Sequence, residues 1–222
     1  FEPRMAVFNL PFLFRSAGHF DAVVDGAIGT DLANRLRPKG LHVLGYTDMG
    51  IRYIHNRRHA VRVPADLAGL KMRVPQDTVP LETYAALGAR AVPMAWPEVY
   101  SAVKQGVIDG LDNALVFYES SGVYEGAPHL TVGVPIFYAT GLLMVSENFY
   151  KKLPSDLQRV VDDAAKAMVP EQRKSFRAES AIILERLKSK GVTVTEADPA
   201  PFASMVGPVW RKFSAQVGGQ QV

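Results

Sequence analysis

The side chains in this sequence with the most evident chemical use stand where apolar runs give out. Arg73 closes the run "LKMRVP" (Leu70 to Pro75), on the opposite parity to Leu70, Met72 and Val74. Asp112 and Asn113 end "VIDGLDNA", and Trp96 opens a helical segment directly after "RAVPM". In open α/β sheets ligands settle at the carboxyl ends of strands, so side chains in these places are binding candidates before any catalytic role is considered. A guanidinium there can grip a carboxylate with two parallel hydrogen bonds, which lysine does not reproduce. Spacing alone leaves two readings of Arg73 open. It is an anion ligand, or it is half of a surface ion pair, the commoner arrangement.

Catalytic and metal chemistry find little to work with. The sequence has no G-x-S-x-G elbow, no P-loop and no G-x-G-x-x-G after a strand. With no cysteine, disulfides, thiolate catalysis and Cys-based zinc sites are excluded together. His55 and His59 are four apart, a metal spacing on a helix, but they fall in a strand-to-turn segment. The acidic pairs Asp109/Asp112 and Asp162/Asp163 read as a turn and a solvated helix face. No catalytic residue, metal or cofactor is expected, and nothing assembles a nucleophile, base and orienter.

The 222 residues suffice for one large domain or two modest ones, and 48% hydrophobic with 21% charged residues is ordinary for a globular protein. The net charge of +3 is mild. The basic cluster "RYIHNRRHAVR" (Arg52 to Arg62) reads as a turn or edge strand, because no nucleic-acid module or aromatic platform accompanies it. The most apolar stretch, "AVFNLPFLF", is too short to span a bilayer and is broken by Asn9 and Pro11. No charged segment with a cleavage site precedes it, so no signal peptide is expected in this sequence.

The elements that must position these residues alternate at tight spacing. "GLHVLGYT" and "RYIHN" read as strands separated by a turn at "DMG". "KMRVP", "RAVPM" and "VIDGLDNA" read as strands, with helices at "TVPLETYAALGA" and "WPEVYSAVKQG" between them. Leu81, Tyr84, Ala85 and Leu87 fall on one side of the first helix, and Gly88 stops it. This is α/β with a largely parallel sheet. Two further strands follow in "HLTVGVPIFYATGLLMVS". A helix then runs from Pro154 to about Lys190, with Leu157, Val160, Val161, Ala164, Ala165 and Met168 at helical period; Pro170 is expected to kink or divide it. "VTVTEA" and "PAPFASMVGPVWRKFSAQV" close the chain as a strand and a helix.

The run "DLAGLKMRVPQDTVPLETYAALGARAVPMAWPEVYSAVKQGVIDGLDN" resembles the core of the DctP-type solute-binding proteins of tripartite ATP-independent periplasmic (TRAP) transporters. The pattern DLxGLKxRVP, then ALGAxxxPMxxxEVYxAxxxGxxDG, then an amide-bearing tripeptide carries the likeness. "FNLPFLFRSAGHFDAVVDGAIGTDL" and "GLLMVSENFYKKLPSDLQRVVDDAA" extend it over nearly the whole chain.

The resemblance implies a two-lobed, periplasmic-binding-protein-like α/β fold with mainly parallel sheets and a long lobe-spanning helix. It further implies a receptor that closes on a small organic acid, dicarboxylates included, and hands it to a TRAP permease in the periplasm. On that basis residues 1–50 belong to an incomplete first lobe, 51–140 mainly to a second, ligand-binding lobe with crossing strands, and 141–222 to a crossing strand, long helix and closing elements. The chain reads as N-terminally truncated, soluble and monomeric, with no nucleic-acid partner. Arg73 matches the family's carboxylate-pairing arginine, Asn113 its strand-end amide and Trp96 its aromatic wall. Arg52 matches a second basic residue, Phe14 lines the opening, and Asp112 selects hydroxyl-bearing ligands. Many members carry an Asn-His pair where this chain offers Phe137 and Tyr138, which implies a more apolar or aromatic pocket. The competing class is an α/β enzyme that uses Arg73 to anchor an organic-acid substrate.

Overall fold

The structure, a computed structural model, describes residues 2–217. Its organising element is β1 (Leu41–Asn56), a strand of 16 residues that pairs with three others. The remaining strands are β2 (Lys71–Val74), β3 (Arg90–Pro93), β4 (Gly110–Asn113), β5 (His129–Val132), β6 (Phe137–Ser146) and β7 (Thr193–Glu196). The sheet order is β3-β2-β4-β1-β5-β7, with β6 also on β1. Pairs β2/β3 and β2/β4 are parallel, as the strand–helix–strand spacing predicts, and β5/β7 is parallel as well. β1 lies antiparallel to β4, β5 and β6, so the sheet as a whole is mixed.

The turn expected at "DMG" is a bulge within β1. The pairing with β6 shifts register between Asp48 and Ile51, and Gly50 between them has φ +86°. An L side chain is strained at that angle, and glycine lets the strand continue past it.

Three helices crossing over or flanking β2, β3 and β4 set the site. These are α3 (Thr78–Ala86), α4 (Val99–Gln105) and α5 (Leu115–Ser120); α1 (Ala17–Val24) and α2 (Ala27–Leu36) precede β1. The N-cap of α3 is Asp77, whose side chain accepts from the Val79 amide. Val79, Pro80, Thr83, Tyr84 and Leu87 bury its inner side, while Ala85 is exposed. Side chains cover both faces of the sheet, as parallel strands require. One core joins Ile54, Met72, Val74, Tyr84 and Phe213; the other joins Val103, Leu111, Tyr118, Leu130 and Leu187. A third cluster holds Phe8, Phe14, Phe20, Tyr46 and Tyr138.

After α6 (Glu147–Lys152), the long helix α7 (Ser155–Ser189) runs unbroken for 35 residues, roughly 50 Å. Pro170 does not divide it. The helix is fixed on both sides of the proline, by buried Ala165 and Val169 before it and by Gln172 and Arg173 after it. Its expected apolar stripe is displaced as well. Leu157, Val160 and Met168 are exposed, because the small Ala165 and Val169 set the side that meets the sheet. The closing segment is two helices, α8 (Ala200–Met205) and α9 (Gly207–Val217), where one was expected.

Candidate ligand-binding site

β2 delivers Arg73 to the edge of a cavity of about 300 Å³, lined by Met49, Arg52, Arg73, Pro75, Trp96, Asn113, Phe117 and Ala139. The Arg73 side chain is buried, and its Nε and Nη2 donate to the Met94 carbonyl at 2.9 and 2.7 Å. Its guanidinium lies 5.6 Å from the centre of the Trp96 ring, a cation–π distance. Among the described residues no carboxylate pairs with it. Burial, reinforced by the charge of Arg52, lowers its pKa to about 10, which leaves it charged near neutrality. A desolvated cation without a counterion costs free energy that an incoming anion recovers.

Asn113, at the end of β4, turns its Oδ1 back to accept from the Ala114 amide at 2.9 Å. The Nδ2 donor remains for the cavity that Asn113 lines. Beneath it, His55 Nε2 bonds the Asn113 carbonyl at 3.1 Å, and the imidazole stacks on Tyr118 at 3.7 Å.

Arg52 is committed differently. Its Nε donates to Asp112 Oδ2 and its Nη2 to the Asp112 carbonyl at 3.0 Å. Burial opposes the Arg52 charge, yet Asp112 raises its pKa above the usual guanidinium value. Asp112 is fully buried and is not among the residues lining the cavity; its carboxylate holds Arg52. Its Oδ1 and the Tyr84 hydroxyl are both buried, and the carboxylate adds to burial in raising the phenol's pKa.

An adjoining cavity of about 230 Å³ shares Met49, Arg52, Pro75 and Ala139, and adds Asn9, Asp77, Pro80, Phe137, Tyr138 and Thr140. Phe137 and Tyr138 therefore border the cleft through this second chamber. Phe14 is among the lining residues of neither; it packs against Phe8, Phe20 and Tyr138. Another cavity of about 280 Å³ lies between β1, α5 and α7. There Asp48 already accepts from Tyr138 and Arg177, so little polar capacity is left for a ligand.

The structure thus brings Arg52, Arg73, Trp96 and Asn113 to one cavity. Met49 and Phe117 were missed by sequence reasoning. Met49 lies in "DMG", which has the composition of a turn, and α5, which carries Phe117, has six residues and is too short to show a period. Asp109, read as a turn residue, accepts from Arg58 Nε at 2.9 Å and from the Lys71 amide at 3.0 Å.

The family model for DctP, described as bacterial extracellular solute-binding protein, family 7, matches residues 1–216. The chain belongs to that family. It is 34% identical over 219 residues to a solute-binding protein of Verminephrobacter eiseniae, covering 98% of this chain and 65% of the relative. The 2,3-diketo-L-gulonate-binding periplasmic protein YiaO of Escherichia coli is 30% identical, with 93% of this chain and 63% of that protein covered. The chain thus spans a little under two thirds of these relatives' length. The sugar-acid-binding protein DctPAm of Advenella mimigardefordensis, solved with galactonate, superimposes with a TM-score of 0.93. It is 33% identical, over 98% of this chain and 71% of that one. The fold is that of TRAP periplasmic solute-binding proteins, and the DctP family is one of transport receptors and not of enzymes. Among the described residues, no helix is long and apolar enough to cross a membrane.

Proposed function

We propose that this DctP-family chain acts as a periplasmic receptor that captures a small organic acid through Arg73 and delivers it to a TRAP permease. The observation that carries the reading is a buried guanidinium at a strand end, facing a cavity with no acidic partner among the described residues. Nη1 and the free hydrogen of Nη2 form the edge that grips the carboxylate, while the Met94 carbonyl fixes the plane. Asn113 Nδ2 donates to the same group, and Trp96, Met49 and Phe117 wall the ligand body. Relatives that bind diketogulonate, galactonate and glucuronate support the acid class. In this reading residues 51–140 form most of the ligand-binding lobe, and the receptor works as a monomer that releases its acid chemically unchanged.

Calorimetry against a panel of sugar and short-chain acids tests the proposal. Arg73→Ala is expected to weaken the best ligand by about 100-fold or more, the value of a charge-assisted bidentate grip in a dry site. Unchanged affinity would remove Arg73 from the site.

A further inference from the structure

The second inference rests on the acid-receptor reading and concerns how many negative charges the cleft admits. Two guanidinium groups line the first cavity, but they are not equivalent. Arg52 is neutralised by Asp112 through two hydrogen bonds, whereas Arg73 has only a neutral carbonyl. Tyr84 adds no charge, since burial and then Asp112 push its pKa well above the usual phenol value. The first cavity therefore holds one uncompensated positive charge, enough for one carboxylate.

The route onward from Arg73 suits no second carboxylate. For the far end of a short diacid, Met49, Phe117, Pro75 and Ala139 offer no side-chain donor, and Arg52 offers only Nη1, on a guanidinium whose charge Asp112 already balances. A longer one would reach the adjoining cavity, where the charged group beyond Arg52 is Asp77. The Asp77 carboxyl is fixed there by the Val79 amide at 3.0 Å and by Asn9 Nδ2 at 2.7 Å. The same chamber does suit a neutral polar group. Thr140 Oγ1 is buried without a partner, and Arg52 keeps Nη1, whose charge Asp112 already balances.

We propose that the cleft selects acids bearing a single carboxylate and a hydroxyl or keto oxygen further along, and that Asp77 rejects a second carboxylate by like-charge repulsion. Asp77 is then a specificity-determining residue on the cap of α3, outside the grip itself.

Calorimetry on the full chain with matched pairs, glucuronate against glucarate and 4-hydroxybutyrate against succinate, reads this directly. The monoacid is expected to bind about tenfold or more tightly than its diacid. Asp77→Asn keeps an oxygen to cap Val79 and should narrow that ratio by raising diacid affinity, while Arg73→Ala weakens both members alike. Raising salt to 0.5 M should also narrow the wild-type ratio, since repulsion across the cleft is screened. A diacid that binds wild type as tightly as its monoacid overturns the selectivity, and an unchanged ratio in Asp77→Asn overturns the role of Asp77. In both cases loss of binding in Arg73→Ala would leave the acid-receptor reading standing. If no acid binds, or if Arg73→Ala binds normally, that reading falls and this one with it.

Discussion

Arg73 and Arg52 are the same residue type twenty-one positions apart, and the fold gives them opposite electrostatic surroundings. The sequence places both at the cleft, through a strand-end position and the family pattern. It does not reveal that Asp112 faces Arg52, because that depends on β4 lying antiparallel beside β1 with Ile54 opposite Asp112. The direction of the Met94 carbonyl is equally invisible in residue types. His55 shows a further residue-scale consequence. It is fully buried under Asn113, and burial lowers its pKa to about 3, only partly offset by the Asn113 carbonyl. The folded state thus holds His55 neutral, while the unfolded chain takes up a proton below about pH 6.5. Its contribution to stability is complete above pH 6.5 and is lost as the pH falls toward 3. Between pH 7 and pH 5 this amounts to about 2 kcal/mol. Urea unfolding at the two pH values should show wild type losing that much more than His55→Gln. The carboxylates with lowered pKa begin from 4.5 or below and act at lower pH. Equal losses in the two proteins would mean that His55 is not held neutral.

At the scale of elements, alternation and helix stops locate β2, β3, β4, α3 and α4 well, because each is short and bounded by proline or glycine. The sequence of β1 reads as two strands, since "DMG" has the composition of a turn, and only the partner strand β6 shows that pairing continues across it. The bulge matters for the site because it carries Met49 to the cavity wall, immediately before Gly50. A Cβ on Gly50 would stand 2.7 Å from Phe176 Cε1 and 3.0 Å from Ala114 Cβ, at a backbone φ of +86°. Gly50→Ala should therefore combine overpacking with left-handed strain and cost about 2–4 kcal/mol. Gly40→Ala is the control. It has a similar φ of +84° with nothing within 4 Å, so it should cost only about 1–2 kcal/mol. Denaturant midpoints that coincide for the two variants would show that the contact of α7 against the bulge is not tight.

The whole molecule is fastened by α7, whose length is legible in the sequence and whose attachment is not. A helical stripe predicts which side is apolar, yet polar side chains of that helix also make long-range ties, among them those of Arg173 and Arg177. Arg173 donates to the Tyr46 carbonyl and to Asp25 at 2.6 and 2.8 Å, joining β1 to α1. Arg177 donates to Asp21 through both Nη atoms at 2.8 Å and to Asp48 Oδ2 at 2.7 Å. Asp48 is fully buried at the start of the β1 bulge and also accepts from Tyr138 at 2.5 Å and from the Gly50 amide at 2.7 Å. Removing Arg177 leaves that carboxylate without its cation, the situation in which a buried pair is most costly to break. Because the Arg177 side chain retains 32% exposure, the expected loss is reduced from the fully buried case to about 2–3 kcal/mol. For a chain of this size that corresponds to roughly 5–10 °C in melting temperature. Lys212 and Glu82 approach equally closely, at 2.6 Å, but at 54% and 38% exposure, so Lys212→Ala should cost under about 0.5 kcal/mol. Differential scanning calorimetry of the two variants separates attachment from charge alone. A melting point for Arg177→Ala within 1 °C or so of Lys212→Ala would mean that α7 is held to β1 by packing, and that the Asp48 contacts follow from it instead of causing it.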